Sequence, residues 1–170
     1  MAQRKPDISL KKGWTTGACA AAGARAAWRY LLTGDRQESV RVSLPRGISP
    51  EFTLSRLERT GDAVTAGIIK DAGDDPDVTH GAEIITTVRA GAPGSGITFA
   101  AGEGVGHVTL PGLPLAVGEP AINPKPREII AANLAEVAEE LDAVCDLHVT
   151  VSIPGGEALA VNTANGRLGI

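Results

Sequence analysis

A chain of 170 residues is long enough for one compact domain, or for one and a half, and length alone does not choose between them. Its 21 glycines and 11 prolines follow no period, which argues against a collagen-like chain and for many turns, and with aromatics at 3% the core must be built from Val, Ile, Leu and Ala. A formal charge of -4, with no basic stretch carrying interleaved aromatics, argues against a nucleic-acid partner; two distant thiols, Cys19 and Cys145, argue against a disulfide framework, and no apolar run approaches the roughly 18 residues of a spanning helix. The expectation is a soluble cytoplasmic protein with reduced cysteines and no membrane partner.

Residues 1–12 are polar and basic and read as an arm that settles on the domain near Leu10. From Gly13 the chain turns to Thr15-Thr16-Gly17-Ala18-Cys19-Ala20-Ala21-Ala22, where either threonine can cap a helix running from about Gly17 to Leu32, with Gly34 suited to the left-handed position after its end. Two features of this helix invite a ligand. Its first N–H groups and the positive end of its dipole can hold an anion. Its Ala- and Gly-rich face lets a backbone or a flat molecule come close, which would explain internal glycines that each cost roughly 1 kcal/mol relative to alanine. Tight packing on a sheet, with Cys19 as a small buried hydrophobe, explains the same residues.

Val40, Val42 and Leu44 alternate as a strand over Ser39–Leu44. Phe52–Glu58 and Ala63–Ile69 read as a hairpin turning at Gly61-Asp62. The second arm delivers Lys70-Asp71-Ala72-Gly73-Asp74-Asp75-Pro76-Asp77-Val78-Thr79, four carboxylates and a lysine in one loop, which is more charge than a connector needs and points to a ligand, although a solvated acidic turn explains the same residues. Glu83–Ala90 and Ile97–Ala101 are further strands around the turn Gly91–Gly96. Gly102-Glu103-Gly104-Val105-Gly106-His107 looks like a phosphate cradle but leads from one strand toward another instead of into a helix, so a Rossmann site is a poor match. It fits either a backbone passing close to a ligand, with Glu103 as an acceptor, or a bulged hairpin.

Five prolines between Pro111 and Pro126 make a rigid irregular stretch that can fix Glu119 and Asn123. A core-facing helix follows from about Pro126, with Ile130, Leu134, Val137, Leu141 and Val144 at helical spacing. Asp146–Ile153 alternates as a strand, turns at Pro154-Gly155-Gly156, and returns over Glu157–Val161 as a second hairpin. The sum is an α+β layered domain with a largely antiparallel sheet and two main helices.

His80, His107 and His148 are scattered, and Asp71, Asp74, Asp75 and Asp77 do not follow the ligand order of an EF-hand, so no metal site is expected. No nucleophile elbow is visible. Rigid glycine-lined loops bearing carboxylates, amides and cations suit orientation and electrostatic complementarity. Lys70, Arg46, Lys125 and Arg127 are candidates to bind carboxylates, and a carboxylate beside a sulfonium would fit a methyl donor.

Four of these segments, Thr15–Ala22, Ile69–Thr79, Gly102–Gly106 and Val117-Gly118-Glu119-Pro120-Ala121-Ile122-Asn123-Pro124, resemble in family order the signature stretches of the CbiD family. The resemblance covers residues 12–170. It implies transfer of a methyl group from S-adenosylmethionine to a ring carbon of cobalt-precorrin-5B, giving cobalt-precorrin-6A, in anaerobic cobalamin (vitamin B12) biosynthesis. On it, Lys70, Asp71, Asp74 and Asp75 are the expected catalytic residues. Thr15, Thr16, Gly17, Cys19, Thr79, Gly102, Glu103, Gly104, Gly106, Glu119 and Asn123 are the expected substrate or cofactor contacts. Family members continue past Arg167-Leu168-Gly169-Ile170 into a second α/β part, so residues 13–170 are expected to form a substrate-facing domain that does not catalyse alone. Competing expectations are a corrinoid-binding module without chemistry and a glycine-loop phosphotransferase; association into a homo-oligomer is left open.

Overall fold

The computed structural model describes residues 13–73, 78–112, 114–156 and 170. The first predicted helix forms as α1, Thr16–Thr33, with the Thr15 hydroxyl accepting from the Ala18 N–H at 3.0 Å and Gly34 closing the end at φ 71°. Strands follow as β1 (Ser39–Arg41), β2 (Glu51–Thr53), β3 (Arg56–Thr60), β4 (Ala63–Ile69), β5 (Glu83–Ala90) and β6 (Ile97–Ala101); then come helix α2 (Pro124–Leu141) and strand β7 (Leu147–Ser152). The fold is α+β. β1 and β2 pair antiparallel in a small sheet, and the main sheet has the order β3-β4-β5-β7-β6.

The hairpin at Gly61-Asp62 is present, with Thr60 opposite Ala63. Other boundaries differ from the periodicity. The expected strand 52–58 breaks at Leu54-Ser55, because the Leu54 N–H bonds the Glu38 carbonyl while the Ser55 N–H bonds that of Gly67, so the chain changes sheet there. Likewise the strand expected to reach Leu44 ends at Arg41, although Val42 stays in the core. β6 pairs with β7 in parallel, not as part of a hairpin. Alternation cannot distinguish the two, since both bury every second side chain. α2 starts two residues earlier than expected, at Pro124, and stops at Leu141: Asp142 turns left-handed at φ 52° and donates its N–H to Ala138. Val144, read as core-facing, is therefore 77% exposed. The N-terminal arm and the returning strand 157–161 lie outside the described residues.

Two arrangements position the site. Ile69 lies opposite Glu83, Ile85 opposite Ser152, and Ala101 beside Val151, so the carboxyl ends of β4, β6 and β7 share one end of the sheet. The helices cover one face: α1 crosses β4 and β5, and α2 reaches β6 through Arg127, whose guanidinium stands 5.4 Å from the Phe99 ring centre. Gly17 meets Pro126, Arg25 meets Asn133 and Glu136, and Arg29 meets Glu140. Matching order along both chains means that α1 and α2 run parallel, with both N-termini at the end where those strands finish.

Candidate functional site

Where the two helices begin, a cavity of about 400 Å³ opens, lined by Gly13–Gly17, Lys70, Ala72, Lys125, Pro126, Ile129 and Ile170. The strand β4 delivers Lys70 to its floor. Lys70 is only 3% exposed, and its Nζ donates to the Thr79 hydroxyl at 2.6 Å. Its backbone is clamped in turn by Ala82 and Gly81. The Trp14 N–H bonds the Asp71 carbonyl, which ties the start of α1 to the loop after β4.

Opposite Lys70 stand the first turns of both helices. A Cβ built on Gly17 would lie 3.1 Å from the Pro126 ring, so glycine is what lets the two starts approach this closely. Parallel neighbours place two positive dipole ends side by side, an arrangement that repels unless an anion sits there. The lining adds the ammonium groups of Lys70 and Lys125, and none of the described lining residues is acidic. Lys125 stands 3.8 Å from Glu128, but both side chains are about two-thirds exposed, so this pair gives little resistance to a competing anion. Trp14, held edge-on against Phe52, and Ile129 provide an apolar wall.

Of the residues singled out in the sequence, Thr15, Thr16, Gly17 and Lys70 line this cavity, and Thr79 supports Lys70 from behind. Asp71 turns its carboxylate back onto the Gly73 N–H at 2.8 Å and is not in the lining. Asp74 and Asp75 lie outside the described residues. His80 accepts from the Ala72 N–H through Nδ1, which shapes the loop rather than the cavity surface.

The small face of α1 is not open to a macrocycle. Ala18, Cys19, Ala20, Ala21 and Ala22 are buried against the sheet and α2, and burial pushes the Cys19 thiol up to about 12 despite the nearby charge of Lys70. Cys19 is a neutral packing group. The glycine run is also taken up internally. A Cβ on Gly102 would fall on the Ser152 hydroxyl and one on Gly104 on the Ile153 carbonyl, while the Ile153 N–H bonds the Glu103 carbonyl. The run is a turn packed on β7, with a single bridge from His107 to Pro120, and not a bulged hairpin.

Even so, the run belongs to the same end of the molecule. Gly106 accepts from the Ala121 N–H, Ala121 from Ile170, and Ile170 from Asn123, which leads into α2 and Lys125. Glu119 accepts from the Ala116 N–H and stands 4.0 Å from Arg127. Arg127 itself donates to the carbonyls of Ile122 and Pro120, so it clamps the proline-rich loop and does not line the cavity. Arg46 is likewise outside the lining. Trp14, Pro126, Ile129 and Ile170 were not anticipated as lining residues. For Trp14, Pro126 and Ile129 the only signal was proximity in sequence to Thr15 and Lys125, from which helix pairing cannot be read, and Ile170 is brought in by backbone bonds to Ala121 and Asn123 that no local signal announces. Among the described residues, no three His, Cys, Asp or Glu side chains gather as a metal site would require, and no helix is long and apolar enough to cross a membrane.

The model of the CbiD family matches residues 3–170. A cobalt-precorrin-5B C(1)-methyltransferase of Methylorubrum extorquens is 57% identical over 162 residues, covering 95% of this chain and 45% of that protein. One from Agrobacterium fabrum is 56% identical and covers 42% of its own length. A crystal structure of the cobalamin biosynthesis protein CbiD from Archaeoglobus fulgidus superposes with a TM-score of 0.69 at 30% identity, over 95% of this chain and 52% of that one. The chain thus spans about half the length of the relatives it matches.

Proposed function

The chain belongs to the CbiD family, and from that premise we propose that it forms the substrate-facing part of a cobalt-precorrin-5B C(1)-methyltransferase of cobalamin biosynthesis, holding carboxylate arms of the cobalt-corrin substrate in the cavity between the two helix starts. The observation that carries this reading is the convergence of two parallel helix N-termini with Lys70 and Lys125 on a cavity whose described lining has no acid. A tetrapyrrole rimmed by carboxylates is the kind of ligand that such a positive recess suits. About 400 Å³ takes side arms and leaves the ring outside, where Trp14 and Ile129 offer an apolar surface. Each charge-assisted hydrogen bond to an arm contributes about 1.5–3 kcal/mol.

The part these residues play is orientation. Thr16 and Gly17 present first-turn N–H groups, Lys70 fixes one carboxylate from a position Thr79 holds, and Lys125 closes the rim. S-adenosylmethionine is the methyl donor in this reading and would supply the transferred carbon. The described lining offers its sulfonium no carboxylate, so the cavity is assigned to the substrate. The glycine run, folded onto β7, gives no support to a phosphotransferase.

Calorimetry tests the assignment with cobyrinic acid, whose arms are carboxylates, against cobinamide, whose arms are amidated. The expected result is at least about tenfold tighter binding of the carboxylate form, the effect of one such bond. Equal affinities, or competition by S-adenosylmethionine for the same recess, would overturn it.

A further inference from the structure

Asn133 is a completely buried polar side chain eight residues beyond Lys125. It is also fully satisfied. Its Oδ1 accepts from Arg25 Nη1 at 3.0 Å and from the Ser43 N–H at 2.9 Å, and its Nδ2 donates to the carbonyls of Ser43 at 2.8 Å and Ile129 at 2.9 Å. One amide therefore joins α2, α1 and the segment after β1. Two ion pairs continue the same register down the helices, Arg25 with Glu136 and Arg29 with Glu140. Apolar packing tolerates sliding by part of a turn, whereas a buried amide with four partners fits one register only. Moreover, Ile129, whose carbonyl Asn133 holds, is itself part of the cavity wall.

We infer that Asn133 is a positioning residue for the cavity: by holding Arg25 and the Ser43 backbone on one amide, it sets how far α2 stands along α1, and so where Lys125 and Pro126 meet Thr15–Gly17. This rests on the anionic reading of the cavity. Asn133 touches no ligand; it acts through the helix that carries Lys125.

The test measures affinity for cobyrinic acid and for cobinamide with the unaltered chain and with Asn133→Leu, Asn133→Asp and Arg25→Met. Asn133→Leu keeps the branched outline of the side chain and removes every polar contact, and is expected to lower the preference for cobyrinic acid about tenfold while cobinamide binding stays the same. Asn133→Asp keeps the acceptor for Arg25 and Ser43 and should retain the preference to within about threefold. Arg25→Met, at a position that leaves the core intact, should lower it about threefold to fivefold. A purely structural role would weaken both ligands together, and that result, or an unchanged preference in Asn133→Leu, overturns the inference. If Asn133→Leu does not fold, an unchanged preference in Arg25→Met overturns it instead. Absence of any preference in the unaltered chain is a different failure, that of the anionic cavity itself.

Discussion

Two glycine-bearing segments, Gly102–Gly106 and Thr15–Gly17, look equally ready for a ligand in the sequence, and the structure uses them in opposite ways. In the first, the missing side chains make room for the protein's own strand: Gly104 adopts φ 78° directly under the Ile153 carbonyl, and Gly102 lies against Ser152. In the second, Gly17 makes room for another helix start, and the closeness of the two starts creates the cavity. A glycine records that something approaches the backbone. What approaches is decided by elements distant in sequence.

The contrast can be broken most severely at Gly104. Gly104→Ala combines a left-handed backbone with a clash against a main-chain oxygen and should cost about 2–5 kcal/mol, read as a fall in the denaturant midpoint. A midpoint that stays put while ligand affinity drops would mean the run is a cradle after all. Lys70→Met should act on the ligand, weakening cobyrinic acid about 10- to 100-fold in calorimetry. Thr15→Ala takes away the acceptor for the Ala18 N–H and should lower stability by about 1 kcal/mol, measurable by thermal unfolding.

The smallest effect is expected at Cys19, at the buried end of the same segment. Burial favours the neutral thiol, so its folded value of about 12 lies above the unfolded one; the stability this gives is complete below the ordinary thiol range and is lost as pH rises through it toward about 12. At neutral pH iodoacetamide should label Cys145, which is partly exposed, and leave Cys19 untouched in the folded chain. Rapid labelling of Cys19 would show that the small face of α1 is open after all, in conflict with its burial.

Local signals carried a large share of the fold. Thr15 and Gly34 bracket α1 as their hydrogen-bonding and φ preferences require, Gly61-Asp62 turns the hairpin, and the alternation of Val149 and Val151 marks β7. The break at Leu54-Ser55 left only a trace, a step of three from Leu54 to Leu57 where alternation asks for two, while the change of hydrogen-bond partner from Glu38 to Gly67 depends on residues distant in sequence. The end of α2 was missed because Asp142, an uncommon left-handed residue, stops a helix whose apolar spacing runs on to Val144.

By itself, the sequence determined the segments that matter and their family, because capping, turn and charge signals reside in neighbouring residues. It also placed Thr15, Thr16, Gly17 and Lys70 in the candidate site. Only the tertiary structure decided that α1 and α2 are parallel, that β6 lies beside β7, and that Lys125, Pro126 and Ile170 complete the recess. Those facts depend on pairings across about fifty residues for β6 with β7 and for Ile170, and across more than a hundred for the two helices, where a buried amide and ion pairs select one register among several that the apolar pattern allows.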